Sequence, residues 1–308
     1  MDYTIAIVTC LRPAGLARLL EALRHCRLPS PACTVLVVDN DPACGAEPLV
    51  TAAALGYPLP LAYLHEPRPG VVFGRNAAIA HAPGARLAFI DDDEEPEAGW
   101  LVALAAAMDA GRAQAVSGPV RPIFERTMPA WFSEAFALCY VRPRSDGSTS
   151  ELMSGNLLLD RAFLARHGLR FPEALATHGA EDTALSALLL RAGGRLAWAA
   201  DALVHEHISA ERLTLAWLLS RWYRYGMSDV RIDLLRQASL RARLLALGRG
   251  ALRVGGGALL LALALPRLAL ARPGPAVRRC YTIMRGLGMI AAGIGVGSEP
   301  YAARTGRG

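Results

Sequence analysis

A strand-like run with no polar face constrains this chain more than any other feature. Thr34–Asp39 (TVLVVD) is apolar through its middle and closes on an acid, so neither of its faces suits water. Strands covered on both faces belong to parallel sheets flanked by helices. Before it, Thr4–Thr9 (TIAIVT) is a short β-rich run and Ala14–Arg24 has helical periodicity, which together give the strand, helix, strand order of a βαβ unit. With 308 residues, 53% of them hydrophobic, the chain can bury the core of one α/β domain and still carry an appendage.

The alternation continues downstream. Leu61–Leu64 reads as a third strand, Val72–His81 as a helix and Arg86–Ile90 (RLAFI) as a fourth strand, which stops at Asp91-Asp92-Asp93-Glu94-Glu95-Pro96 before a helix over Trp100–Ala110. Ligands of open α/β sheets collect outside the carboxyl ends of the strands, where Thr9, Asp39 and Asp91–Asp93 fall. Pro119, Pro122, Pro129 and Pro143 break up Val116–Arg144 into a strand and an irregular, partly helical excursion. Order returns with a strand at Ser154–Leu159, a helix from Arg161, and a helix that opens near Glu181-Asp182 and stops at Gly193-Gly194. Ala197–Ala199 and Ala202–His205 are the last sheet-like pieces. Beyond Leu213 the chain reads as helical, so the expected division is an α/β domain at 1–210 and a helical region at 211–308.

Charge follows the same division. Residues 1–220 hold 18 arginines against 24 acids, and residues 221–308 hold 15 against 3. A basic, apolar tail on an acidic body implies a surface that meets anionic lipid or another polyanion. Val254–Leu265 and Gly286–Gly297 are uncharged and flanked by Arg249, Arg253, Arg267, Arg272, Arg278, Arg279 and Arg285. Each is shorter than the ~20 residues that a bilayer span requires, so interfacial or re-entrant helices are expected, with an oligomer contact as the alternative. Nucleic-acid binding would interleave the arginines with aromatic or polar readers, and here they alternate with Leu, Ala and Gly. Six cysteines without a C-x-x-C pair, and an N-terminus unlike a signal peptide, point to a reducing cytosol.

Three consecutive aspartates after a buried strand repel one another unless a cation neutralises them. Mg²⁺ or Mn²⁺ suits such oxygen ligands and is often held by one or two carboxylates plus substrate phosphates. Glu94, Glu95 and Glu97 read as a solvated acidic turn. Glu181-Asp182 opens a helix, where an acid also serves as an ordinary cap. What favours a site is the ordered set: Asp39, Asp91–Asp93, Ser154-Gly155-Asn156, then Gly179-Ala180-Glu181-Asp182.

On these landmarks the first 220 or so positions resemble family 2 of the GT-A glycosyltransferases. The residues that carry the resemblance are TIAIVTCLRP, VLVVDN, RPGVVFGRNAAIAHAPGARLAFIDDDEEPEAGWL, SGNLLLDRAFL and GAEDTALSALLLRAGGRLAWAADALVHEH. The resemblance implies a GT-A fold with a mostly parallel sheet. It implies that Thr9 and Asp39 meet the nucleoside, that Arg75 faces the donor near its base or diphosphate, and that Asp91, Asp92 and Asp93 form the DxD frame. Within that frame Asp93 would hold the metal and Asp91 the ribose or sugar. Asp182 matches the family's general base, Glu181, Arg221 and Trp222 would lie on the acceptor side, and a late histidine, here His205, approaches the metal or diphosphate in related enzymes. Trp222 has an equally good reading as helix core.

Two departures are informative. Asn40 stands where the family often has a second acid. Processive members carry Q-x-x-R-W, whereas Leu218-Leu219-Ser220-Arg221-Trp222 lacks the glutamine, which favours transfer of a single sugar. The expected activity is inverting transfer from a nucleotide-sugar, with UDP as the nucleotide, to a lipid-linked saccharide of exopolysaccharide or envelope synthesis on the cytoplasmic face of the inner membrane. A sugar-phosphate nucleotidyltransferase would open on a glycine-rich basic loop that TCLRPAG lacks, and an inactive scaffold would be expected to have lost Asp93 or Asp182.

Overall fold

The computed structural model describes residues 2–129, 131–133, 141, 143–176, 179–236, 239–264 and 274–296. They form two compact units. The first takes in Met1–Ile123, Cys139–Thr177 and Glu181–His207, and the second Phe124–Leu138, His178–Ala180 and Ile208–Gly308. The helical part thus begins within two residues of position 210, but its unit also includes the segment after Ile123.

In the first unit a seven-stranded sheet runs in the order β3-β2-β1-β4-β8-β6-β9. Its strands are β1 (Tyr3–Thr9), β2 (Cys33–Asp39), β3 (Leu61–His65), β4 (Arg86–Asp91), β6 (Ala115–Ser117), β8 (Asn156–Asp160) and β9 (Leu196–Trp198). β1 to β4 are mutually parallel, and β8 is antiparallel to both β4 and β6. The mixed α/β architecture with a mostly parallel sheet is the one expected. Alternate residues explain why the strands are apolar on both sides. Ile5, Ile7, Val35, Val37 and Ile90 face α1 (Pro13–Leu23) and α4 (Trp100–Gly111). Ala6, Leu36, Val38, Leu87 and Phe89 face α3 (Val71–His81), α5 (Arg161–His167) and α6 (Glu181–Arg191). A short helix, α2 (Glu47–Ala54), lies between β2 and β3.

Register then sets the site. Thr9 pairs with Asp39 and Val8 with Asp91, so the three strand ends that carry polar residues finish at one level of the sheet. A smaller sheet in the order β5-β10-β7 joins β5 (Glu94–Pro96), β10 (Val204–Ile208) and β7 (Val120–Phe124). The acidic turn expected after Asp93 is therefore partly a strand, because β10 supplies hydrogen-bonding partners to Glu94 and Glu95.

Among the described residues the second unit is built on three helices, α7 (Leu215–Arg236), α8 (Leu240–Ala264) and α9 (Gly274–Gly293). α9 packs on both of the others. Gly226 and Gly288 allow its close approach to α7: a Cβ at Gly226 would collide with the Arg285 carbonyl, and one at Gly288 with that of Tyr223. Arg285 also makes a two-pronged ion pair with Asp229, at 2.6 and 2.9 Å.

Both apolar tail runs fall on helices. The run from Val254 is the second half of a continuous 25-residue helix that is, by length and composition, also long and apolar enough to cross a membrane. Helix geometry propagates through Arg249 and Arg253, which had limited the stretch to half a span. The run from Gly286 falls largely on α9, where Met289, Ala291 and Ala292 are buried among the helices. Arg267 and Arg272 lie outside the described residues.

Candidate active site

The end of β4 is a dense group of carboxylates. Asp92 is buried, accepts hydrogen bonds from the Thr9 hydroxyl and an Arg12 nitrogen, each at 2.8 Å, and shares that nitrogen with Asp93, also at 2.8 Å. Burial pushes the Asp92 carboxyl up to about 6, with Asp93 adding to the shift and Arg12 and Thr9 opposing it. Glu94 accepts the Asp91 N–H at 3.1 Å and is buried beneath it. Its carboxyl is raised well above the ordinary range, first by burial and then by the charges of Asp91, Glu206 and Asp93. Gly155 leaves room here, since a Cβ would sit 2.5 Å from a Glu94 oxygen and 3.0 Å from one of Asp91. Asp91 itself remains 38% exposed.

The second group of acids opens α6. Arg75, buried on α3, donates to Asp91 at 3.0 Å and to Glu181 at 2.5 Å, and its guanidinium carbon lies 5.6 Å from the centre of the Phe171 ring. Asp182 follows, partly buried, with one carboxylate oxygen accepting the Thr183 N–H at 2.6 Å. Burial, and then the neighbouring Glu181 charge, push its carboxyl up to about 7 against the pull of Thr183 and Arg75. A carboxyl poised near neutrality can take a proton from a hydroxyl and later release it.

The sequence-predicted residues divide accordingly. Within the first unit Arg75 joins Asp91 to Glu181, the residue before Asp182, while Arg12 joins Asp92 to Asp93 and the Thr9 hydroxyl donates to Asp92. Asp39 sits at the same end of the sheet, fully buried, and its oxygens accept from the N–H groups of Asp41 and Ala46 and from the Tyr63 hydroxyl. Asn40 bridges to the carbonyls of Glu66 and Arg68 and accepts the Gly70 N–H. Both side chains thus shape the loops after β2 and β3. His205 lies 3.3 Å from Glu97, and on the same strand it is Glu206, not His205, whose charge bears on Glu94.

In the second unit Arg221 donates to the Tyr225 hydroxyl at 2.5 Å and lies over the ring of Trp217. Trp222 is 2% exposed, meets Tyr281 edge to face and packs with Leu218 and Val277. It belongs to the core of these helices. Arg12 and Glu94 were missed as site residues. Arg12 lies in the turn between β1 and α1, three residues past the strand end, the one signal in the sequence that marks it.

Among the described residues no three Asp, Glu, His or Cys side chains converge on a point as a ready cage for a metal. The donors nonetheless fit a hard divalent cation. Arg12 is shared by Asp92 and Asp93 and Arg75 by Asp91 and Glu181, so two guanidiniums face four carboxylates. An ion held by one or two carboxylates and completed by ligand phosphates needs no preformed cage.

Comparison with known proteins agrees. The family model for Glycosyl transferase family 2 matches residues 4–166. The chain is 33% identical over 233 residues to the succinoglycan biosynthesis protein ExoM of Rhizobium meliloti (strain 1021), covering 75% of each protein. It is 28% identical over 213 residues to a pre-mycofactocin glycosyltransferase of Mycobacterium tuberculosis, covering 67% of this chain and 43% of that one. Similar solved structures include S. aureus TarS 1-349, at 16% identity and a TM-score of 0.55 over 92% of this chain and 90% of that one. The mannosyltransferase PcManGT of Pyrobaculum calidifontis, solved with GDP-Man and Mn²⁺, matches at 18% identity and a TM-score of 0.57, over 98% of this chain and 78% of that one. The fold is the GT-A fold. A family model that covers more than half of the chain, together with a relative at 33% identity across three quarters of it, makes this chain a member of glycosyl transferase family 2.

Proposed function

We propose that the chain is an inverting glycosyltransferase that moves one sugar from a nucleotide-sugar, with UDP as the nucleotide, to a lipid-linked saccharide in exopolysaccharide or envelope polysaccharide synthesis. The observation that carries this reading is the pairing of two acid groups at one sheet edge: Asp91–Asp93 at a strand end, and Asp182 with its carboxyl raised to about 7, joined by Arg75. The similarity to a succinoglycan biosynthesis protein supports the exopolysaccharide setting.

Mechanistically, Asp182 takes the proton of the acceptor hydroxyl as that oxygen attacks the anomeric carbon, and the nucleoside diphosphate departs from the opposite side. No protein nucleophile is needed for a single inverting displacement. Asp93 would hold Mg²⁺ or Mn²⁺, which when bound supplies positive charge for the departing diphosphate. Arg12 holds Asp92 and Asp93 in place before ligands arrive, and Asp91, 38% exposed, offers its carboxylate to the ribose or sugar. Asp39 would meet the nucleoside through Oδ1, which accepts a single N–H, while its other contacts organise the loop. Glu181 and Arg221 remain acceptor-side candidates.

The same reading puts the protein on the cytoplasmic face of the inner membrane, held by α8. The exposed side chains of its second half are apolar, and the exposed part of its first half carries Arg241, Arg243 and Arg249. Arginines can reach anionic headgroups while leucines enter the acyl boundary. The experiment that tests the enzymatic reading is a screen of nucleotide-sugars for hydrolysis dependent on Mn²⁺ or Mg²⁺. Turnover of at least one donor is expected, and failure of every donor together with failure of UDP to bind would overturn it.

A further inference from the structure

We infer that Arg75 is a positioning residue that fixes the base-bearing end of α6 to the end of β4, and does not itself touch the donor. The inference rests on Asp182 being the general base.

The geometry argues against a donor contact. Both terminal nitrogens of Arg75 are used, one on Asp91 at 3.0 Å and the other on Glu181 at 2.5 Å. Each terminal nitrogen keeps a second N–H, and Nε is buried without a hydrogen-bond partner. Only 4% of the side chain is exposed, so these groups lie beneath the surface that a ligand would meet. A guanidinium is a rigid planar fork, so engaging two carboxylates at once fixes the distance and angle between them. Those carboxylates come from distant parts of the chain, 16 residues after Arg75 and 106 after it. Arg75 is therefore the strut that sets where the first turn of α6 stands relative to the acids of β4.

Asp182 is the residue next to Glu181, and it inherits this placement. The charged groups acting on it are Glu181 on its own helix, which disfavours its ionised form, and Arg75 on α3, which favours it, while the Thr183 N–H holds one oxygen. Removing the guanidinium would leave two adjacent acids without their shared cation. Its loss should therefore misplace the base and also make it harder to ionise.

The test compares wild type, Arg75→Gln, Arg75→Lys and Glu181→Gln in the full chain. UDP binding is read by calorimetry, and the pH profile of kcat is read on whichever UDP-sugar is hydrolysed fastest. Arg75→Gln should lower kcat by about 10- to 100-fold, as expected for misplacing a catalytic group, and leave UDP affinity unchanged. Its acidic limb should move up by about one pH unit, the effect of losing a nearby opposite charge. Arg75→Lys keeps the charge without the fork, so its limb should stay near that of wild type while kcat remains low. Glu181→Gln should move the limb down, a result that does not depend on whether Arg75→Gln folds. If the arginine variants lose UDP affinity in step with kcat, Arg75 is a donor contact and the inference fails. It fails equally if kcat and the limb are unchanged while only the melting temperature drops. A wild type that turns over no nucleotide-sugar overturns the enzymatic reading along with this one.

Discussion

Leu252, Leu259 and Leu263 are the most exposed large side chains on the second half of α8, at 78%, 64% and 68%. If that face meets lipid, replacing all three with serine should detach the protein. Fully burying a leucine contributes about 1.5–3 kcal/mol, so three side chains with roughly two thirds of their surface available represent on the order of 3–6 kcal/mol. An interfacial helix sinks only partly, which favours the lower end and a loss of about 100-fold in partitioning. The assay is co-sedimentation with vesicles containing an anionic phospholipid, with circular dichroism to check that the helices remain. Replacing Arg241, Arg243 and Arg249 with glutamine should also weaken binding, by about 1 kcal/mol per residue and only at low salt. Unchanged sedimentation of the serine variant would refute the membrane face. Dissociation of an oligomer by the same variant would identify the face as a contact between copies.

Other predictions follow from the first unit and from the helix contacts. With Asp182 titrating near 7, kcat for donor hydrolysis should fall about tenfold per pH unit on the acid side of neutrality, and a limb near pH 4 would exclude so shifted a base. Asp93→Ala should weaken divalent-dependent UDP binding as well as turnover, whereas equal UDP affinity with and without metal in wild type would count against an ion at that position. Asp92 titrates near 6 in place of 3.8, so the stability it contributes is full below about pH 4 and is lost as pH rises through 6, at most about 3 kcal/mol. Thermal melts of Asp92→Asn across that window should show a flatter pH dependence than wild type. Gly226→Ala drives a methyl into the Arg285 carbonyl and should cost about 1–3 kcal/mol, read as a lower melting temperature of the helical unit.

How much of this was legible in the sequence depended on how local each cause was. β1, β2 and β4 are apolar on both faces, so their existence, their burial and the acids at their ends can be read from a few consecutive residues. β5 was hidden because Glu94-Glu95-Pro96 has no strand propensity of its own, and only pairing with β10, more than a hundred residues away, makes it one. The same pairing buries Glu94, which the sequence assigned to solvent. The partners of Asp39, Ala46 and Tyr63, could not be read locally because they come from later turns of the chain. Trp222 required Tyr281 and Val277 to be decided as core. Helix α8 was cut in half by its arginines, although a helix needs no unbroken apolar run to propagate. The ordered motifs survived all this, because spacing along the chain already encodes which strand ends share an edge of the sheet.

The central claim is that Asp182 does the chemistry while other residues of the same unit hold the donor, and Asp182→Asn tests it most directly. Asparagine can still accept the Thr183 N–H and removes only the basic oxygen. UDP affinity and melting temperature should therefore stay close to wild type, while donor turnover falls by something like 10²- to 10⁴-fold, the usual cost of losing a general base. Near-normal turnover by a folded, UDP-binding Asp182→Asn protein would remove Asp182 from the mechanism and contradict the account.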